Sequence, residues 1–388
     1  MKIAFWISLF IIFYTYIGYA IAIYVMGMIK RVSGTGKKHK VFKDYFPTLT
    51  LLVAAYNEEQ HIEDKISNCL ELIYPPEKLE ILFITDGSTD ATPGLLSTYP
   101  QIKLMHTPLR SGKIHAINRA MEEVKTDIVV FTDANTYLNK NALVNLTRHF
   151  ADEEIGAVAG EKRIIQNKFS DATAGEGFYW KYESRIKKWE SDLYSVVGAA
   201  GELYSIRRAL YEPVPQETVL DDLIISLRIA VKGHRIIYEP NAYAVETSSV
   251  NTKEELKRKI RIAAGGIQSV FQLKFLLNPF KYPALSFQYI SHRVLRWTIT
   301  PLLIIISLLL NVIIVLLEGD FVYTILLITQ IIFYTMALLG WILAKKETGN
   351  KFLFVPFYFC LMNYAMLAGM KRYFSGKQSP AWEKVKRK

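Results

Sequence analysis

The chain has 388 residues, is 51% hydrophobic and 21% charged, and carries a formal net charge of +11 with two cysteines. So apolar a composition, with a mean hydropathy of +0.15, excludes a disordered polyelectrolyte, and two cysteines as distant as Cys69 and Cys360 exclude a disulfide framework or a CxxC metal site. The positive charge collects beside apolar segments, which excludes nucleic acid as the partner and points to a membrane surface.

The first element is apolar. Ile3 to Ile29 is almost uncharged and long enough to span a bilayer. It is longer than the apolar region of a signal peptide and shows no obvious small-x-small cleavage site, so 1–30 reads as a retained transmembrane helix. A basic juxtamembrane linker, 31–46, follows with Arg31, Lys37, Lys38, Lys40 and Lys43 just beyond Lys30. Positive charge at that end places the next region in the cytoplasm.

From residue 47 strands and helices alternate. Thr48–Ala54, Leu79–Thr85, Gln101–His106 and Asp127–Thr132 read as strands. Glu58–Leu72 reads as a helix with Ile62, Ile66, Cys69, Leu70 and Ile73 on one side, followed by helices at Asp90–Ser97 and Lys113–Val124. Near-continuous apolar strands separated by helices imply an α/β fold with a mainly parallel sheet covered on both faces. Ligands bind such sheets off the C-terminal strand ends. Four polar loops stand there: Tyr56-Asn57-Glu58, Asp86-Gly87-Ser88-Thr89-Asp90, Arg110-Ser111-Gly112-Lys113 and Asp133-Ala134-Asn135.

Each loop has an ordinary reading when taken alone. Ser88 or Thr89 ahead of Asp90 suits a turn and helix cap. Ser111-Gly112-Lys113 lacks the spacing of a full phosphate loop. Asp133 and Asn135 suit a turn as well as a loop around a divalent cation. Their gathering at successive strand ends favours a ligand site.

Further on, Phe178, Tyr179, Trp180, Tyr182 and Trp189 form an aromatic run that fits a helix core or a sugar platform. Gly198 and Gly201 suggest a loop that lets backbone approach a ligand. Asp221-Asp222 opens a helix, Asp222–Val231, where acids are favourable in themselves. Arg258 and Arg261 share a helix face and suit either a diphosphate or an anionic lipid surface. Residues 267–293 read as interfacial helices. The membrane region 294–370 then holds spans at Val294–Leu317 and Phe321–Ala344, joined by Glu318-Gly319-Asp320. Its last apolar stretch, Phe352–Met370, admits a spanning, re-entrant or interfacial placement. Basic residues flank it on both sides: Lys345, Lys346 and Lys351 before, and in the tail 371–388 Lys371, Arg372, Lys377, Lys384, Lys386, Arg387 and Lys388 after. A crossing helix does not keep both ends inside.

The motifs VAAYNEE (53–59), ITDGSTD (84–90), RSGKIHAIN (110–118), FTDAN (131–135), VGAAGELYSIRRAL (197–210) and KRKIRIAAGG (257–266) stand in one order. With the acidic pair between the last two, they resemble the family 2 glycosyltransferases of GT-A fold over roughly residues 47–300. The membrane segments narrow the resemblance to the cellulose synthase-like and poly-N-acetylglucosamine synthase-like members.

The resemblance implies a Rossmann-like GT-A catalytic domain at 47–266 with transmembrane helices at both ends. It implies a multi-pass protein of the inner or plasma membrane, its catalytic domain cytoplasmic. The implied activity is inverting transfer from a UDP-sugar to a glycan or lipid-linked acceptor, giving a β-linkage in polysaccharide or glycolipid synthesis. Asp86 would pair with the base, with Tyr56, Asn57, Glu58 and Lys113 around the nucleotide. Asp133 and Asn135 would hold Mg²⁺ or Mn²⁺ as the family's DxD, an amide replacing the second acid. Asp222 would be the general base and Asp221 its support. Gly201, Glu202 and Trp180 would face the acceptor. Arg258 and Arg261 stand where processive members carry QxxRW, with Arg258 for Gln and Ile262 for Trp. The departures at Asn135 and Ile262 are the support for a rival: a degenerate transferase that binds nucleotide-sugar with little turnover. The later apolar segments are few to enclose a long polysaccharide, which implies a membrane partner for export.

Overall fold

The computed structural model describes residues 1–34, 42, 44–165, 172–247, 252–345 and 351–376. Of the basic residues above, Lys37, Lys38, Lys40, Lys43, Lys346, Lys377, Lys384, Lys386, Arg387 and Lys388 lie outside the described residues, as does the side chain of Phe178.

Among the described residues, eight strands form one sheet: β1 Leu49–Ala55, β2 Leu79–Asp86, β3 Lys103–Thr107, β4 Ile128–Asp133, β5 Thr136–Leu138, β6 Ile155–Ile165, β7 Leu203–Arg207 and β8 Arg235–Thr247. Their order is β3-β2-β1-β4-β7-β6-β8-β5. β3, β2, β1 and β4 run parallel. β7 is antiparallel to both β4 and β6, and β6 pairs parallel with β8. The main helices are α1 Lys2–Val32, α2 Ile62–Leu70, α3 Thr92–Ser97, α4 Lys113–Glu123, α5 Ala142–Thr147, α6 Ala172–Leu193, α7 Asp221–Val231, α8 Thr252–Gln272, α9 Pro283–Tyr289, α10 Ile299–Glu318, α11 Phe321–Lys345 and α12 Lys351–Phe374.

β1 is buried at every position because both sheet faces are covered. Leu52 and Ala54 join Ile114, Ile117 and Met121 of α4 in one core; Leu51 and Val53 join Ile62, Ile66 and Cys69 of α2 in the other. Each such leucine or isoleucine contributes roughly 1.5–3 kcal/mol by leaving water. α2 is shorter than the sequence suggests, since 56–61 belong to the strand-end loop. Leu70 and Ile73, expected on its apolar side, are 44% and 53% exposed, whereas Lys65 on that side is fully buried. The start of α3 is capped by neither Ser88 nor Thr89: Asp90 Oδ1 accepts the Thr92 amide at 3.0 Å. Cys69 and Cys360 are both free.

Among the described residues, four helical segments are long and apolar enough to cross a membrane: α1, α10, most of α11, and 352–374 of α12. The 20 residues of α10 extend roughly 30 Å, the thickness of a hydrocarbon core. Lys2 of α1 pairs with Glu318 at one end of α10, and Thr15 and Thr300 share a 3.0 Å hydrogen bond at the other. Past a π turn at Tyr14–Gly18, α1 packs Tyr19 and Ile23 against Ile186 of α6.

That junction is charged and buried. Glu190 of α6 accepts from the Tyr19 hydroxyl and lies against His292 Nδ1, both at 2.7 Å. Glu183, two turns earlier, meets His292 Nε2 at 3.1 Å and the Arg296 guanidinium. α12 has a different setting from the other three. Its Leu353 and Phe357 lie against Gly340 near the end of α11, and Gly369 lies against Ala263 and Ala264 of α8. Between them, Asn363 accepts from the Tyr16 hydroxyl at 2.7 Å, and Tyr358 faces Tyr179 of α6 at 6.0 Å. One end of α12 therefore packs on α11 and the other on α8.

Candidate active site

The parallel register brings the C-terminal ends of β1, β2 and β4 to one edge, with α4 and α7 beginning beside them. Asp86 ends β2 and is 3% exposed. Its Oδ2 accepts the amides of Ser111 and Gly112 at 2.8 and 2.6 Å. Its Oδ1 is buried and has no hydrogen-bond partner among the described residues. A buried carboxylate oxygen is costly to leave unsatisfied, so this atom suits an N–H brought by a ligand. Gly87 lets the two loops meet: its φ is +66°, and a Cβ there would lie 2.5 Å from Arg110 Cβ.

The loop after β1 is tied to the one after β2. Asn57, at φ +53°, accepts the Thr89 amide on its side-chain oxygen at 2.8 Å and donates its own amide to Ser88 Oγ at 3.2 Å. Glu58 is buried and donates its amide to Thr92 Oγ1 at 2.8 Å. The Arg110 guanidinium lies 4.1 Å from the Tyr56 ring centre.

A pocket opens between these loops and the antiparallel half, lined by Leu52, Ala54, Lys113, Ile117, Phe131, Thr132, Asp133, Gly201, Tyr204 and Asp221. Lys113 reaches across it to Asp133 Oδ1 at 2.7 Å. Burial alone would lower the Lys113 ammonium, but Asp133, Asp221 and Asp222 around it hold it above the usual lysine range. Asp133 and Asn135 put oxygen donors at the turn after β4, a set that fits a hard divalent cation.

Asp221 and Asp222 open α7, as the sequence suggests, with the helix beginning at the first of them. Asp221 is 8% exposed. Gly201 lies against its neighbour: a Cβ there would be 3.6 Å from Asp222 Oδ2. Burial and the adjacent Asp221 push the Asp222 carboxyl up to about 7; Glu202 adds to this and Lys113 opposes it. Glu202 itself would be raised by burial, yet its ion pair with Lys162 holds it well below the carboxylate range. Lys162 also pairs with Glu246.

Other expected site residues are placed differently. Trp180 has the ammonium groups of Lys162 and Lys259 at 5.1 and 5.5 Å from its ring. Tyr182 donates to the Tyr16 carbonyl, and Trp189 packs on Tyr24 at 5.3 Å, so both anchor α1. Arg258 is paired with Glu255 of its own helix at 3.0 Å. Arg258 and Arg261 are not among the described residues that line the pocket, although Arg258 acts electrostatically on Glu202.

Three residues that the sequence did not single out belong to the site's surroundings. Lys65 lies beneath the turn after β4, donating to the Thr136 carbonyl at 2.6 Å. Tyr204 stacks on Phe131 at 4.6 Å, and its buried hydroxyl has no partner among the described residues. Lys162 bridges Glu202 and Glu246. Only Lys65 left a signal: it stands three residues after Ile62 and four before Cys69, on the apolar side.

Residues 50–214 match the family described as Glycosyl transferase family 2. The chain is 30% identical over 240 residues to the poly-beta-1,6-N-acetyl-D-glucosamine synthase of Staphylococcus aureus, covering 59% of this chain and 57% of that one. It is 29% identical over 237 residues to the beta-monoglucosyldiacylglycerol synthase of Synechocystis sp., covering 58% and 48%. The chain thus spans about half the length of the curated relatives it matches. Among solved structures, the mannosyltransferase PcManGT from Pyrobaculum calidifontis, in complex with GDP-Man and Mn²⁺, aligns with a TM-score of 0.71 at 24% identity, over 96% of this chain and 99% of that one. The fold is GT-A, with a mixed, mostly parallel sheet and apolar helices toward both ends.

Proposed function

We propose, for a chain whose residues 50–214 form a glycosyl transferase family 2 domain, that the protein is an inverting glycosyltransferase acting at a membrane. Its donor is a UDP-sugar and its acceptor a glycan or lipid-linked hydroxyl. One observation carries the reading: Lys113–Asp133 and Asp221 line a single pocket, with Asp222 beside its Gly201 wall.

Asp86 selects the base. Its Oδ2 is taken by two amides, which leaves one buried acceptor atom. Uracil offers one ring N–H to that atom, whereas guanine would present two donors to it. Asp133 and Asn135 would hold Mg²⁺ or Mn²⁺, which when bound offsets the charge of the departing diphosphate. Lys113 supplies a further positive charge on the same side.

Asp222 accepts the proton of the acceptor hydroxyl as that oxygen bonds to the anomeric carbon and the bond to the diphosphate breaks. A carboxyl raised to about 7 is suited to this task near neutral pH. Direct displacement with one base inverts the anomeric centre, so an α-linked donor gives a β-linked product. Similarity to enzymes of glycan and glycolipid synthesis supports either acceptor class.

For the membrane, α1, α10 and α11 cross and α12 lies along the cytoplasmic face. The contact of Gly369 with Ala263 and Ala264 of α8 supports this, as do the basic flanks. The catalytic domain is then cytoplasmic.

The test is UDP release by the purified full chain with Mn²⁺ across a panel of UDP-sugars and acceptors. Asp222→Asn should lower turnover by about 10²–10⁴-fold while UDP binding is kept, and Asp133→Ala should abolish turnover. A wild type that binds UDP-sugars yet releases no UDP with any acceptor would instead favour a degenerate, binding-only protein.

A further inference from the structure

Asp133, the carboxylate of the turn, is already ion-paired with Lys113 at 2.7 Å. Asn135 brings no charge. Among the described residues, no group of three or more His, Cys, Asp or Glu side chains is placed to share a metal ion. The Asp133 carboxylate is therefore already neutralised by Lys113, and a divalent cation would exchange water for little at this atom while the pair holds.

The turn is also pinned from beneath. Lys65, fully buried, donates to the Thr136 carbonyl at 2.6 Å and to Thr132 Oγ1 at 3.2 Å. Thr136 Oγ1 donates to the Asp133 carbonyl at 2.9 Å, and Thr132 Oγ1 to the Glu202 carbonyl at 3.0 Å. Asp133 is thus held in place by backbone contacts on both sides. Lys113 is the partner with the longer side chain: its ammonium can swing to a new anion about its rotatable bonds while the Asp133 backbone stays fixed.

We propose that the Asp133–Lys113 ion pair bars divalent cations from the empty enzyme, and that cation and nucleoside diphosphate enter together, the diphosphate drawing Lys113 off Asp133. The inference rests on the donor-site reading above. A diphosphate gives the ammonium a new anionic partner and releases the carboxylate to the cation, so both members of the broken pair keep an opposite charge beside them. No covalent bond changes. The coupling is reciprocal: UDP raises metal affinity by the factor by which metal raises UDP affinity. Lys65 is a positioning residue in this scheme, since it keeps the turn from supplying Asp133 by moving instead.

The experiment titrates Mn²⁺ into the purified full chain and follows free Mn²⁺ by electron paramagnetic resonance, with and without UDP. For the wild type, UDP should tighten Mn²⁺ binding by about 10-fold or more. Lys113→Met frees Asp133, and Asn135→Asp adds a charge; each should bind Mn²⁺ without UDP about 10-fold more tightly than the wild type does. Thermal unfolding checks that Lys113→Met is folded, and Asn135→Asp carries the test if it is not. Mn²⁺ binding that is equally tight with and without UDP, in a protein that does bind UDP, overturns the proposal and leaves the donor site standing. Failure to bind UDP with or without Mn²⁺ overturns the donor-site reading and the proposal with it.

Discussion

At the residue scale the chemistry turns on carboxylates whose settings differ. Asp222 is raised by burial first and by Asp221 second, so it keeps its proton to a higher pH than a free aspartate. It acts as a base only when deprotonated. The acceptor kcat/KM should therefore fall about tenfold per pH unit below about 7 and level off above it. Asp221→Asn removes one raising cause and should move the acidic limb to lower pH; a pH–rate profile of UDP release reads the shift. A limb that stays in place would mean that Asp221 does not set the Asp222 carboxyl.

Asp86, Asp133 and Asp222 each suit a turn or a helix end when taken alone and were singled out by the order of their motifs; the structure places them at the ends of β2 and β4 and in the first turn of α7. Lys65 left only its place on the apolar side of α2 as a signal, and its partners, Thr132 and Thr136, come from a distant turn. Trp180 was legible only as an aromatic. The two lysines beside its ring come from β6 and α8, distant in sequence.

At the element scale the parallel half was readable and the antiparallel half mostly was not. β1, β2 and β4 are largely apolar runs, β3 is a half-exposed edge strand, and the limits of all four fall within two residues of those expected. β6 and β8 carry Lys162 and Glu246 in their interiors, and these pair only once the sheet forms. The pairing of β6 with β8 also shifts register between Ile155 and Ala157 and again between Gly160 and Glu161, which breaks any simple alternation.

One glycine fixes how the loop before β7 meets α7. Gly198 has φ +90°, and a Cβ would lie 2.2 Å from Leu223 Cδ1. Gly198→Ala should therefore destabilise the protein by about 1–3 kcal/mol and displace the start of α7. Turnover should drop while UDP affinity changes less than about twofold, since Asp86 and Lys113 are held by other elements. Thermal unfolding and UDP titration measure the two effects.

At the scale of the whole molecule, the sheet domain and the helices apolar enough to cross a membrane meet through charge. Glu183 faces His292, Arg293 and Arg296 in a buried setting. Arg296 foremost, with His292 and Arg293, holds its carboxyl well below the usual range despite the opposing effect of burial. Glu183→Gln leaves Arg296 with a neutral partner. It should cost about 3–5 kcal/mol, read as a lower unfolding temperature in detergent. The apolar spans were plain in the sequence, because length and hydropathy need no partner to be read. The setting of α12 was not, because its lipid-compatible composition also suits packing on α8. Its two basic flanks posed the question, and the contacts of Gly369 with α8 and of Leu353 with α11 bear on it. A reporter fused after residue 376 should lie on the same side of the membrane as the catalytic domain; one exposed on the opposite side would make α12 a fourth crossing.

The single-base account is tested most directly by the anomeric configuration of the first product. With a UDP-sugar that supports turnover, its donor α-linked, proton NMR of the earliest glycoside should show the β-anomer. An α-linked product would require a second displacement and a nucleophile, and would contradict the role given to Asp222.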